Sequence, residues 1–231
     1  MKLFKFLSTV ILLAIAVVML STTGVRADTV SQGDWIAFTL AYGNAGGGGA
    51  FHVVKNGQVL YDTFCLETNE YFYPGTLYLI GSITGEAING GKDPSPHPDP
   101  LDPRTAYLFY KFSTGTLTGY TVGDPASANA LQKVIWYIEQ ELGNADWNHP
   151  EDYLSSGKER DFYNISLNNQ GVLWGVQVLN MYGGYDATSG NPINLKQDQL
   201  VLVPEPSTIL LLGAGLLGLG LLGRRKFKKY S

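Results

Sequence analysis

Ala50-Phe51-His52-Val53-Val54-Lys55-Asn56-Gly57-Gln58-Val59-Leu60-Tyr61-Asp62-Thr63-Phe64-Cys65 is the stretch from which the rest of the chain can be read. Two runs rich in β-branched and aromatic residues, 50–54 and 59–64, flank Asn56-Gly57. That dipeptide readily takes two consecutive positive φ angles, so the runs should pair as a tight hairpin. The hairpin delivers Cys65 to the end of its second strand. Before it, 35–41 reads as a strand and Asn44-Ala45-Gly46-Gly47-Gly48-Gly49 as a turn. After it, Tyr71-Phe72-Tyr73 and 77–80 continue the β pattern. A Pro-rich loop, 90–103, closes this half.

The second half turns helical. Residues 104–112 form an apolar, aromatic stretch. The clearest helix opens at Asp124, a candidate N-cap, with Pro125 at the first helical position and Gly143 as its stop. Ala128, Leu131, Ile135, Ile138 and Leu142 recur at spacings of three and four, an apolar stripe for a core. Gln132 lies beside that stripe, near Ala128, Ile135 and Trp136. Residues 150–162 suggest a short charged helix, and 172–179 and 199–203 return to strand. No internal repeat is visible. The expected fold is mainly β, a sandwich or barrel, with a small helical insertion carrying Gln132: α+β overall.

Both ends of the 231-residue chain read as targeting segments. In 1–27, Lys2 and Lys5 precede an apolar run, and Val25-Arg26-Ala27 offers a cleavage site, which describes a signal peptide. At the other end Val203, Pro204, Glu205 and Pro206 precede an uncharged apolar run, with a transmembrane helix expected over 207–223. Arg224, Arg225, Lys226, Lys228 and Lys229 then form a stop-transfer tail expected on the cytoplasmic side. The domain between, 28–203, holds 8 Lys and Arg against 19 Asp and Glu, a net charge of −11. So acidic a domain repels phosphate backbones, which argues against nucleic-acid binding.

The order Val-Pro-Glu-Pro-Ser, apolar helix, basic cluster resembles the PEP-CTERM sorting signal of Gram-negative bacteria. That resemblance implies recognition by an exosortase-type processing enzyme and loss of the chain from Ile209 onward. It implies transient residence in the inner membrane through the C-terminal helix, then the cell surface or extracellular matrix. Two prolines hold the backbone extended outside the bilayer, the form a protease needs.

One cysteine in an exported domain permits no internal disulfide. Cys65 is therefore buried and inert, paired with another chain, or chemically committed. Phe64-Cys65-Leu66-Glu67 followed by Gln132-Lys133-Val134-Ile135-Trp136 resembles the thioester domains of bacterial surface adhesins. In that family the Cys sulfur and the Gln carbonyl carbon are joined, which here implies a bond between Cys65 and Gln132. Leu131 and Val134 depart from the Thr and Ala usual beside the Gln, though neither is a reacting atom. Chemically, thiolate attack on a carboxamide expels ammonia and leaves an acyl donor open to a surface amine. Glu67 and Trp136 are the candidate supports, Glu67 as a helper to the thiol and Trp136, with Phe64, Tyr71 and Phe72, as a shield from water.

Other motifs carry less. Asp93, His97, Asp99 and Asp102 sit in the Pro-rich loop without the Gly and late Glu of a calcium loop. His52, His97 and His149 lack metal-ligand spacing. Gly46 to Gly49 has no following Lys-Ser/Thr, and Asn164-Ile165-Ser166 is a chance sequon. No cofactor and no metal are expected, and the chain is read as a non-enzyme. The leading expectation is an exported cell-surface or exopolysaccharide-matrix protein of the biofilm, and a covalent adhesin if Cys65 and Gln132 are joined, with its amine or polysaccharide ligand unspecified. The alternatives are a passive matrix protein with a buried free Cys65, and a hydrolase using Cys65 with a partnered His.

Overall fold

The computed structural model describes residues 30–45, 48–68, 70–88, 90, 98–143 and 148–203. The signal peptide 1–27, Pro204, Glu205, Pro206 and the expected helix 207–223 lie outside these residues. No helix among the described residues is long and apolar enough to cross a membrane.

Among the described residues eight strands form the frame: β1 (Trp35–Ala45), β2 (Gly48–Lys55), β3 (Gln58–Thr63), β4 (Leu77–Thr84), β5 (Glu86–Ala87), β6 (Asp99–Pro100), β7 (Val176–Tyr185) and β8 (Pro192–Leu202). Six make one antiparallel sheet in the order β3-β2-β1-β4-β7-β8, and β5 pairs with β6. The hairpin forms as its sequence dictates. Lys55 pairs with Gln58 across Asn56 and Gly57, whose φ angles are 52° and 76°, the primed turn that matches strand twist. Just past β3, Cys65 bridges Gln199 of β8. Leu66 N–H donates to Asp198 O at 3.1 Å and Leu200 N–H to Phe64 O at 3.2 Å. The two outer strands of the sheet thus meet at Cys65, closing it there in the manner of a barrel.

Among the described residues there are four helices, α1 (Pro103–Ser113), α2 (Pro125–Ile138), α3 (Pro150–Tyr153) and α4 (Gly157–Ser166), of which α1 and α2 pack on the sheet and α4 packs on both of those helices. Asp124 caps α2 by accepting from the N–H groups of Ala126 and Ser127, and Pro125 occupies the position where its missing donor costs nothing. The helix stops at Ile138, short of Gly143. Gln140 takes φ 62°, its N–H donates to Tyr137 O, and Glu141 N–H donates to Trp136 O. This is a Schellman turn built on a glutamine. The expected helix over 150–162 divides into α3 and α4, and Ser156 with Glu159 forms a capping box at the start of α4.

Tyr71-Phe72-Tyr73 is not a strand. It lies in an irregular segment that ends in a turn at Gly75, φ 83°. Gly75 N–H donates to Phe38 O at 2.7 Å. Tyr71 and Tyr73 face solvent, while Phe72 packs on Phe38 and Phe51 at centroid distances of 4.9 Å.

The core is double. One cluster joins α1, α2 and α4 to Phe64, Val176, Val178 and Leu200. The other lies on the opposite side of the sheet, where Ile36, Phe38, Phe51, Val53, Ile80 and Met181 surround Cys65 and Trp136. Cys65 and Gln132 meet where the two clusters join.

Candidate functional site: the Cys65–Gln132 junction

The stripe of α2 turns Ala128, Leu131 and Ile135 into the core, and the same face carries Gln132 inward. Cys65, Gln132 and Gln199 each have 0 % of their surface exposed. A buried carboxamide must find partners for its donors and acceptor, and Gln132 finds them on the backbone around Cys65. Its Oε1 accepts from Cys65 N–H at 3.0 Å and from Gly49 N–H at 3.2 Å. Its Nε2 donates to Cys65 O at 2.8 Å. This pattern fixes which end of the amide is oxygen. Two N–H groups converging on one carbonyl oxygen is the geometry that stabilises an oxyanion when a nucleophile adds to the carbonyl carbon.

Gly48 makes the approach sterically feasible. A β-carbon there would lie 2.5 Å from Trp136 Cη2 and Cζ2 and 2.9 Å from Gln132 Cγ. Trp136, one helical turn beyond Gln132, therefore packs directly against Gly48 beside the junction, its indole N–H buried without a partner. Of the expected shields, Trp136 belongs to the cluster around Cys65 and Phe72 packs against it. Phe64 faces the other cluster, 5.0 Å from Phe112, and Tyr71 is 73 % exposed and shields nothing.

The sulfur has one polar neighbour that sequence reading did not find. Gln199 Nε2 donates to Cys65 Sγ at 3.4 Å. Burial pushes the Cys65 thiol up to about 12, the bond from Gln199 opposes that rise, and the charge of Glu67 adds to it. Glu67 therefore does not activate the thiol by charge. Its Oε2 accepts from Asp198 N–H at 2.6 Å and its backbone oxygen accepts from Gln197 Nε2. It anchors the cysteine segment to β8. Burial first, then the neighbouring Asp198, holds Glu67 well above the usual carboxylate range. Asp198 is raised to about 7 by burial, against hydrogen bonds from Asn180, Met181 and Ile88. Thr68 completes the anchorage: its N–H donates to Glu141 Oε2 and its hydroxyl to Glu141 O, both at 2.9 Å.

The two described histidines stand elsewhere. His52 pairs with Asp62 at 2.5 Å and His149 with Glu151 at 3.1 Å. Among the described residues no group of three His, Cys, Asp or Glu side chains is placed to hold a metal. Asp102 caps α1 and binds the Arg104 side chain, and Asp99 lies in β6. His97 and Asp93 lie outside the described residues.

The sequence matches the PEP-CTERM protein-sorting motif over residues 202–226. The match begins at Leu202, the last residue of β8. The chain thus carries the sorting signal of an exported, surface-directed protein. No curated protein matches the sequence. Two solved structures are similar in shape. The N-terminal thioester domain of the fibronectin-binding protein SfbI from Streptococcus pyogenes is 16 % identical over 75 % of this chain and 95 % of its own, with a TM-score of 0.42. The N-terminal domain of the Streptococcus pyogenes pilus tip adhesin Cpa is 12 % identical over 80 % and 100 %, again with a TM-score of 0.42.

Proposed function

We propose that this protein is a covalent surface adhesin, exported and sorted through its PEP-CTERM segment by an exosortase-type enzyme, whose domain joins Cys65 and Gln132 as an internal thioester. The observation that carries the reading is the buried Gln132 carbonyl, held by the N–H groups of Gly49 and Cys65 beside the single cysteine.

In bond formation the sulfur attacks Gln132 Cδ. Negative charge gathers on Oε1, where two donors wait. The C–N bond then breaks, and the thiol proton leaves with the amide nitrogen as ammonia. No oxidant or cofactor is needed. In use, a primary amine of a surface ligand adds to the same carbon, the C–S bond breaks, and the proton lost by nitrogen returns to the thiolate. The product is an amide between Gln132 and the ligand, with Cys65 free again. Until then, burial of the site beside Trp136 excludes water, which would spend the acyl donor by hydrolysis.

The test is the intact mass of the protein recovered from cells. Loss of one ammonia makes it lighter by about 17 Da than the sequence of its processed form. Cys65→Ala and Gln132→Ala should each abolish that deficit, and methylamine should add to the wild type at Gln132. An unmodified mass, with a thiol that reacts only after denaturation, would instead make this a matrix protein with an inert core cysteine.

A further inference from the structure

We propose that Gln199 is a further catalytic residue of this centre: its side-chain N–H holds the Cys65 sulfur and carries the charge that sulfur acquires in making and in breaking the thioester. The inference rests on the thioester reading above.

Three observations point to it. The first is contact with the reacting atom itself, Nε2 to Sγ at 3.4 Å, from a side chain 0 % exposed. The second is orientation. The same Nε2 also donates to Gln197 O at 3.3 Å, which aims the nitrogen end, not the oxygen end, at the sulfur. The third is cost. Gln199 Oε1 is buried with no partner. A residue kept only for packing would leave no orphaned acceptor, and an apolar side chain of equal length would fill the space without that penalty. What glutamine adds here is one N–H aimed at sulfur.

That N–H acts at both steps. As the thiol gives up its proton and attacks Gln132, sulfur passes through a thiolate in a site where burial disfavours charge. As an amine later expels it, sulfur again leaves as a thiolate before taking the proton released by nitrogen. The donor at Sγ and the pair of donors at Gln132 Oε1 thus hold the two atoms between which negative charge moves. The backbone bridge between Cys65 and Gln199 fixes the separation.

The experiment compares wild type with Gln199→Met and Gln199→Leu, full-length and recovered from cells, by intact mass, by the rate of methylamine addition and by thermal unfolding. Both variants should melt no lower than wild type when the acyl bond has been opened in each. They should lack the mass deficit, or carry it and react with methylamine about tenfold more slowly, the loss of one hydrogen bond to a charged atom. An undiminished deficit with an equal or faster rate overturns the role of Gln199 while leaving the thioester intact. Variants that fail to fold overturn it too, since Gln199 is then a structural residue. A wild type without the deficit sinks the thioester reading itself.

Discussion

At the scale of single residues, the site depends on what is missing from Gly48 and on the buried carboxyls of Glu67 and Asp198. A β-carbon at Gly48 would enter the Trp136 ring at 2.5 Å, and that ring is held between sheet and helix. Gly48→Ala should therefore cost about 1–3 kcal/mol, the range for overpacking a filled core. It should also lower the fraction of molecules carrying the mass deficit, because Gln132 Cγ lies in the same path. Denaturant midpoints and intact mass read the two effects separately. The carboxyls act through pH. Glu67 is raised well above the carboxylate range and Asp198 to about 7, so between about pH 4 and pH 7 the folded protein binds more protons than the unfolded chain. Stability from Asp198 is greatest at the acid end of that window and falls as pH rises through about 7, and Glu67 contributes a fall in the same direction. Asp198→Asn should flatten the slope, as measured by denaturant unfolding at pH 5 and pH 8.

At the scale of elements, the β2–β3 hairpin places Cys65 and α2 places Gln132. Gly57 stands at φ 76° with nothing within 4 Å of where a β-carbon would be. Gly57→Ala therefore meets no clash and pays only for the left-handed backbone, about 1 kcal/mol in the unfolding free energy. The mass deficit should not change, because the turn lies at the far end of β3 from Cys65. These two elements were legible because their punctuation is local: Asn56-Gly57 for the turn, Asp124-Pro125 for the helix start. The end of α2 was misread because Gly143 looks like a stop, while the terminating turn uses Gln140 with positive φ. Tyr71-Phe72-Tyr73 has the composition of a strand, yet the turn at Gly75 ties it to Phe38 instead. Cys65 and Gln132 could be singled out from their flanking residues. Gln199 could not, because it reaches Cys65 across 134 positions of sequence through the closure of the sheet. Nothing in Asp198-Gln199-Leu200 announces that contact.

At the scale of the molecule, the arrangement is a set of ties around one point. The outer strands β3 and β8 meet at Cys65, α2 packs on β1 and β2 and reaches that point through Gln132, and the sorting motif begins where β8 ends, with Val203 N–H held by Gly175 O at 2.9 Å. The strand closure that seats Cys65 thus runs out along β8 to the point where the sorting motif begins. The acyl bond would add a tie that hydrogen bonds cannot supply. Cys65 and Gln132 are 67 positions apart, so joining them closes a long loop in the unfolded chain as well as the folded one. By the chain-entropy relation for cross-links such a loop is worth roughly 4 kcal/mol, an upper figure if the folded geometry is strained or the unfolded chain retains structure. Methylamine opens the bond without altering any other side chain, although the new methylamide must fit where the sulfur was bonded. The treated wild type should accordingly unfold at lower temperature and lower denaturant concentration than the untreated protein. Cys65→Ala should show no change on the same treatment. Paired unfolding curves of the four samples decide the matter: a wild-type shift no larger than that of Cys65→Ala would mean that no covalent tie had been holding the strand closure to α2.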